Sequence, residues 1–151
     1  MKTFHTKTTI GAAAIALFVL SFVPVASFAA SPPPSTMVLD MSGIVGNPST
    51  GIVGAFTMHL DGSTTVVKGS LAQGVAYGTY NGTPVVGGFS YNTATGKALM
   101  KLVPADGSNS FALNLAFLYL PPVGFTFQGI IHINGQGPVM LSATSLNLVF
   151  S

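Results

Sequence analysis

Charged side chains are scarce in this sequence. It contains 5 lysines without arginine and 3 aspartates without glutamate, and it has neither cysteine nor tryptophan. Charged side chains supply most general acids and bases, metal ligands and anion-binding groups, so their scarcity excludes most enzyme mechanisms. The lack of cysteine also excludes a fold held together by disulfide bonds. We therefore predict a protein that is not an enzyme, has no metal site and uses no cofactor.

The N-terminus has the pattern of an export signal peptide. Lys2 and Lys7 precede an apolar run over residues 10–25, and small residues follow the run. Ser27 and Ala29 put small side chains at the −3 and −1 positions, so we predict a signal peptide over 1–29. The run is shorter than the roughly 20 residues that a membrane-spanning helix needs. We expect the protein to be exported, to the periplasm, the cell surface or the extracellular space.

Removal of this segment makes the chain formally neutral. The formal charge of +2 comes from Lys2 and Lys7, because the remaining three lysines are balanced by three aspartates. Binding of nucleic acid requires a basic surface, and binding of anionic lipid requires a polybasic patch. The predicted mature chain has neither feature, so we exclude nucleic acid and an anionic membrane surface as partners.

The rest of the sequence predicts one all-β domain after a spacer. Residues 30–36 are proline-rich and predict an extended spacer, and 37–151 show short apolar stretches divided by turn residues. We predict a single-domain antiparallel sandwich or barrel of about eight to nine short strands. The candidate strands are 37–45, 52–60, 63–72, 75–80, 83–91, 97–103, 110–119, 125–133 and 139–150.

Turn residues set the predicted connections. Asp61-Gly62 and Asn81-Gly82 lie between alternating runs, and such dipeptides favour type I′ hairpin turns. Since every link is short, neighbouring strands are expected to pair antiparallel in a meander with at most one crossover. In the last strand the apolar residues change parity, which predicts a bulge or break near 142–145.

Alternation within the strands predicts which face is buried. Apolar side chains alternate with smaller or polar ones over 110–119 and 125–133, as expected when one face of a sheet forms the core. The residues predicted to face inward in these two strands are Phe111, Leu113, Leu115, Phe117, Tyr119, Phe125, Phe127, Ile131 and Ile133.

An aromatic group marks the predicted hairpin around Asn81-Gly82. Tyr77, Tyr80, Phe89 and Tyr91 lie on its two strands, next to several glycines. Glycines in a sheet leave room for a ring to lie over bare backbone, either a side chain of the protein or a flat ligand. Cross-strand packing explains the same pattern. These four residues are the candidate ligand-binding site.

The histidines offer little catalytic chemistry. His59 and His132 each fall on the more polar face of a strand, and with Asp40 or Asp61 they would make a two-histidine, one-carboxylate metal site only if their strands were adjacent. His59 and Asp61 would also form a dyad for Ser63 or Ser70, but the sequence has no Gly-x-Ser-x-Gly elbow. Asp61 and Asp106 precede glycines and are expected in turns.

Three classes of function remain. The first is a non-catalytic exported β-domain with a structural or adhesive role, which associates with itself or with another surface component, because a neutral surface lacks the repulsion that keeps proteins apart. The second is a small barrel that binds an apolar small molecule. The third is an outer-membrane barrel, the one case in which the protein has a membrane partner.

Overall fold

The described residues form a closed antiparallel barrel of eight strands. The structure is a computed structural model and describes residues 33–47 and 51–151. Each strand pairs with the next along the chain, and the last pairs with the first. The strands are β1 (Thr36–Asn47), β2 (Gly51–Lys68), β3 (Leu71–Tyr80), β4 (Thr83–Asn92), β5 (Lys97–Pro104), β6 (Phe111–Leu120), β7 (Gly124–Ile133) and β8 (Val139–Phe150).

This topology confirms the predicted all-β class and shows that the sheet forms a barrel, not a sandwich. All eight pairings are antiparallel, and β1 pairs with β8 over Met37 to Gly46. The sheet therefore closes on itself without a crossover. Within the described part of the chain, no helix is long and apolar enough to cross a membrane.

The predicted turn at Asp61-Gly62 is wrong. Both residues lie inside the 18-residue strand β2, which joins two of the predicted strands. Gly62 is buried and faces inward, where an added Cβ would come within 2.7 Å of Met37 Cε and 2.9 Å of Phe89 Cε1. This glycine makes room for side chains of other strands and does not form a turn. The chain reverses at Gly69, which has a φ of 58°.

The predicted turn at Asn81-Gly82 is confirmed. Asn81 and Gly82 have φ angles of 49° and 78°, as a type I′ hairpin requires. The Asn81 side chain also accepts a hydrogen bond of 2.8 Å from the backbone N–H of Thr57. The predicted role of Asp106 in a turn is confirmed as well, because its carboxylate accepts a 2.8 Å hydrogen bond from the N–H of Ser108.

The bulge predicted in the last strand lies at Thr144. Ser42 pairs with Ser145 and Gly43 pairs with Ala143, so Thr144 has no partner on β1. The Thr144 hydroxyl donates to the carbonyl of Ser42 over 3.3 Å. The extra residue restores the alternation, so that Leu141 and Leu148 both face inward and are buried.

The interior of the barrel is apolar. No polar or charged side chain is buried among the described residues. The inward predictions for β6 and β7 are confirmed, since eight of these side chains are buried or pack against the buried core and Tyr119 packs against Phe125. The largest fully buried side chains are Phe56, Phe117, Met37, Leu39, Leu60, Leu102, Leu113 and Val85.

The start of β1 and the end of β8 meet at one end of the barrel, which we call the termini end. Ser35 and Thr36 donate backbone hydrogen bonds of 2.6 and 2.9 Å to the carbonyl of Ser151. Pro34 is buried, and its carbonyl accepts a 2.7 Å hydrogen bond from the hydroxyl of Thr64. The last part of the predicted spacer is therefore attached to the barrel. The predicted signal peptide, its cleavage site and spacer residues 30–32 lie outside the described residues.

Candidate functional site

The four aromatic residues of the candidate ligand site do not form one site. Tyr77 faces outward and is 54% exposed. Tyr80 and Phe89 are buried inside the barrel, and Tyr91 is half-buried near the termini end. Tyr80 packs at the opposite end, 6.0 Å from Phe56 and 5.5 Å from Phe111 between ring centroids. The four residues are close together in the sequence. In the barrel, however, they lie on different sides of the wall and at different ends.

Phe89 packs over the backbone, as the glycines around it predict. An added Cβ on Gly74 would lie 2.8 Å from Phe89 Cε1, and one on Gly62 would lie 2.9 Å from the same atom. The ring therefore occupies the space that these two glycines leave open. At Phe89 the aromatic and glycine pattern serves packing of the core.

Tyr91 belongs to an aromatic cluster at the termini end. Its ring stacks on Phe150, with centroids 4.0 Å apart and planes inclined by 6°. Phe125 lies 6.0 Å from Phe150 and 5.2 Å from Tyr119. Burial raises the pKa of the Tyr91 hydroxyl, and the neighbouring Tyr119 contributes to the rise. Phe125 and Phe150 carry no signal in the sequence that would link them to Tyr91, because only closure of the barrel brings these strands together.

His59 lies between two carboxylates on the outer surface. Its Nδ1 is 2.6 Å from Asp40 Oδ1, and its Nε2 is 3.3 Å from Asp61 Oδ2. The hydrogen bond with Asp40 raises the pKa of His59, desolvation opposes the rise, and the charges of Asp40 and Asp61 add to it. The spacing of His59 and Asp61 places them on the same side of one strand, and the contact with Asp40 follows from the register of β1 and β2.

The remaining residues of the predicted dyad and metal site lie elsewhere. Ser63 is four residues along β2 from His59, about 13 Å at the usual rise of a strand. Ser70 lies in the turn after β2, and His132 lies on β7, which is not adjacent to β2. Within residues 33–47 and 51–151, no group of three or more histidine or acidic side chains is arranged to hold a metal ion.

Strands β7 and β8 are only partly joined. They pair through three residue pairs, from Gly129–Leu141 to Ile131–Val139. Residues 124–128 of β7 and 142–146 of β8 have no ladder partners on the side facing each other, and we call these two segments the seam. A groove of about 250 Å³ runs between them. The bulge at Thr144 lies in this part of β8, and bulges bend a strand and end its pairing.

A larger hollow lies on the outer face of the sheet around Lys101, and we call it the Lys101 hollow. It measures about 710 Å³ and is lined by residues of β2 to β7. Leu99 and Ile130 are the large apolar side chains that face outward within it, and Leu99 is 45% exposed. Its polar lining residues include Gln73, Ser90, Asn114 and His132. None of these residues was predicted as a site, because they become neighbours only across strands.

The fold and these surface features define the class of protein. It is an eight-stranded antiparallel barrel with an apolar interior and an incomplete seam, and the described aspartate, lysine and histidine side chains lie on the outside. Comparisons of the chain with protein families, with curated proteins and with solved structures found no match.

Proposed function

We propose that this protein is a non-catalytic exported barrel with a structural or adhesive role, and that copies of it associate through the seam. The observation that carries the proposal is the incomplete pairing of β7 with β8, which leaves two strand edges without ladder partners over 124–128 and 142–146. Unpaired strand edges are templates for pairing with another chain. A second copy of this chain is the partner that we infer.

The composition of the seam supports this partner. Native sheets protect exposed edges with lysine, proline or inward-pointing charges. Neither seam segment contains a charged residue or a proline, and no lysine or aspartate follows Asp106 in the chain. The bulge at Thr144 is the one protective feature present. Since the predicted mature chain is neutral, long-range repulsion does not oppose the approach of two copies.

The state of His59 supports a non-catalytic role. A general base needs a ring nitrogen that is free to accept a proton. Both nitrogens of His59 face carboxylates, at 2.6 and 3.3 Å. An imidazole held in this way donates two hydrogen bonds as a cation. It is therefore not available to activate Ser42 or Ser145, which line the surface pocket around His59.

The distribution of side chains favours this proposal over the two alternatives. A barrel that carries an apolar molecule inside needs an internal space, whereas the inward side chains here form one packed cluster. Outer-membrane barrels have an apolar outer band and a polar interior. Here the interior is apolar, and the outward side chains include Asp40, His59, Lys101 and Asn114. This arrangement favours a barrel whose outer surface contacts water.

Sedimentation analysis of residues 30–151 tests self-association. We expect the weight-average mass of the wild-type domain to rise with protein concentration and to be insensitive to salt, because the seam is uncharged. The double variant Thr126→Lys, Ser145→Lys places one lysine on each seam segment and should remain monomeric. Ser63→Lys is the matched control at a residue of β2 that is paired on both sides, and it should behave like the wild type. A wild-type domain that stays monomeric at all concentrations would overturn the proposal.

A further inference from the structure

We propose that the Lys101 hollow binds a small carboxylate that carries an apolar chain. Ligand sites in proteins measure about 300 to 1,000 Å³ and combine an apolar lining with a few polar groups. The hollow, at about 710 Å³, lies within this range. It lies on the outer wall and does not include the seam segments, so the inference stands independently of self-association.

Small cross-strand neighbours create the hollow. Lys101 on β5 pairs with Gly88 on β4 and with Asn114 on β6. Leu99 pairs with Ser90 and Ala116 on the same two strands. Side chains directly opposite one another normally fill the space between strands. Because these neighbours are short, the stems of Leu99 and Lys101 stand beside open space on the sheet surface.

The charge in the hollow selects an anion. Lys101 is the one lysine or aspartate among its lining residues. The three aspartates of the chain lie elsewhere, two beside His59 on β1 and β2 and one in the loop after β5. Within the described residues, the exposed Lys101 ammonium forms no salt bridge. It is therefore available to a carboxylate, and the Asn114 amide provides a second donor beside it.

Leu99 and Ile130 form the apolar floor of the hollow, and their separation sets the size of the ligand. Leu99 lies on β5 and Ile130 lies on β7, so they are two strands apart, about 10 Å at the usual spacing of a sheet. Ile130 pairs with Asn114, which in turn pairs with Lys101. A chain that lies on Ile130 and crosses β6 at Asn114 therefore ends beside the ammonium group, with Leu99 two residues along β5. This geometry fits a linear carboxylate of medium length, with its carboxyl group at Lys101.

An NMR titration of the domain over 30–151 with octanoate tests the site. We expect the largest shifts at the amides of Lys101, Asn114 and Ile130. Lys101→Met keeps the length of the side chain and removes its charge, and it should weaken octanoate binding about two- to fivefold, as expected for an ion pair at an exposed side chain. Lys68→Met changes a lysine outside the hollow and should leave binding unchanged. Leu99→Asn should also weaken binding, whereas Val149→Asn, an exposed control on β8, should not.

Titration with 1-octanol separates charge recognition from general apolar contact. The alcohol should bind the wild type more weakly than octanoate does, and Lys101→Met should not change its affinity. Equal affinities of octanoate and 1-octanol, unchanged octanoate binding by Lys101→Met, or shifts outside the hollow would each overturn the proposal. An absence of any shift with octanoate would overturn it too.

Discussion

The ring of Tyr91 on β4 lies flat against the ring of Phe150 on β8, with centroids 4.0 Å apart. These strands are not neighbours, because β4 pairs with β3 and β5, and β8 pairs with β7 and β1. The contact therefore crosses the interior at the termini end. Phe125 on β7 lies 6.0 Å from Phe150, so the same ring also contacts a residue of the seam.

Loss of the Phe150 ring should destabilise the barrel. We expect Phe150→Ala to lower the free energy of unfolding by about 2 kcal/mol, less than for a fully buried phenylalanine because Phe150 is half-buried. Denaturant unfolding measures the change. Tyr77→Ala removes an outward ring that is 54% exposed and should cost no more than about 0.5 kcal/mol. Equal losses in the two variants would contradict a stabilising role for the cross-barrel contact.

A methyl group at Gly74 should not be tolerated. It would meet the backbone carbonyl of Ser63 and would lie 2.8 Å from Phe89 Cε1. Overpacking of this kind typically costs 1 to 3 kcal/mol, and the rigid carbonyl leads us to expect about 2 kcal/mol or more for Gly74→Ala. Gly54→Ala is the control, because nothing lies within 4 Å of its added Cβ. A Gly74→Ala domain as stable as Gly54→Ala would show that the strands shift to accept the methyl group.

The carboxylates around His59 should keep its imidazole protonated at pH values above the ordinary pKa of histidine. Its pKa is raised from 6.5, mainly by the hydrogen bond with Asp40. Asp61 faces it from the same strand, and the other residues that line the surface pocket around His59, among them Thr79, Ser145 and Asn147, are neutral. We expect Asp40→Asn to lower the pKa of His59 in an NMR titration, whereas Asp106→Asn should leave it unchanged. A pKa unaffected by Asp40→Asn would contradict the assigned cause.

The same pairing has a defined effect on stability. Because the pKa is higher in the folded state, the contribution is fully present below pH 6.5 and is lost as the pH rises through the folded-state pKa. The His59 side chain is 50% exposed, so solvent screening limits the contribution to less than about 1 kcal/mol. Asp40→Asn should reduce this pH dependence. A rise in stability caused by His59 as the pH increases above 6.5 would contradict this prediction.

Local patterns were sufficient to predict the strands that alternate and the turn at Asn81-Gly82. The parity change in β8 also located the bulge near Thr144. The prediction of a turn at Asp61-Gly62 was wrong, because Gly62 leaves space for the ring of Phe89, which lies far away in the sequence. A local dipeptide contains no information about such a contact.

Less of the candidate site could be predicted from the sequence. Barrel closure depends on pairs such as Met37 with Phe150, which are far apart in the chain and have no shared motif. The seam follows from this closure, whereas the Lys101 hollow follows from the registers of β4 to β7, which the sequence does not specify either. By contrast, the four aromatic residues were close in sequence, and the alternation of strand faces placed Tyr77 outside and Tyr80 inside.

Hydrogen exchange should distinguish the seam from the paired part of β7. In dilute solution the amides of 124–128 that point towards β8 have no ladder acceptor, so they should exchange faster than those of 129–131 that point the same way. If copies join through the seam, these fast amides should become protected as the concentration rises. The Asn81-Gly82 hairpin lies at the opposite end of the barrel and serves as the internal control. Concentration-dependent protection throughout the barrel would indicate general aggregation instead, while constant fast exchange at 124–128 would show that the seam remains open when copies associate.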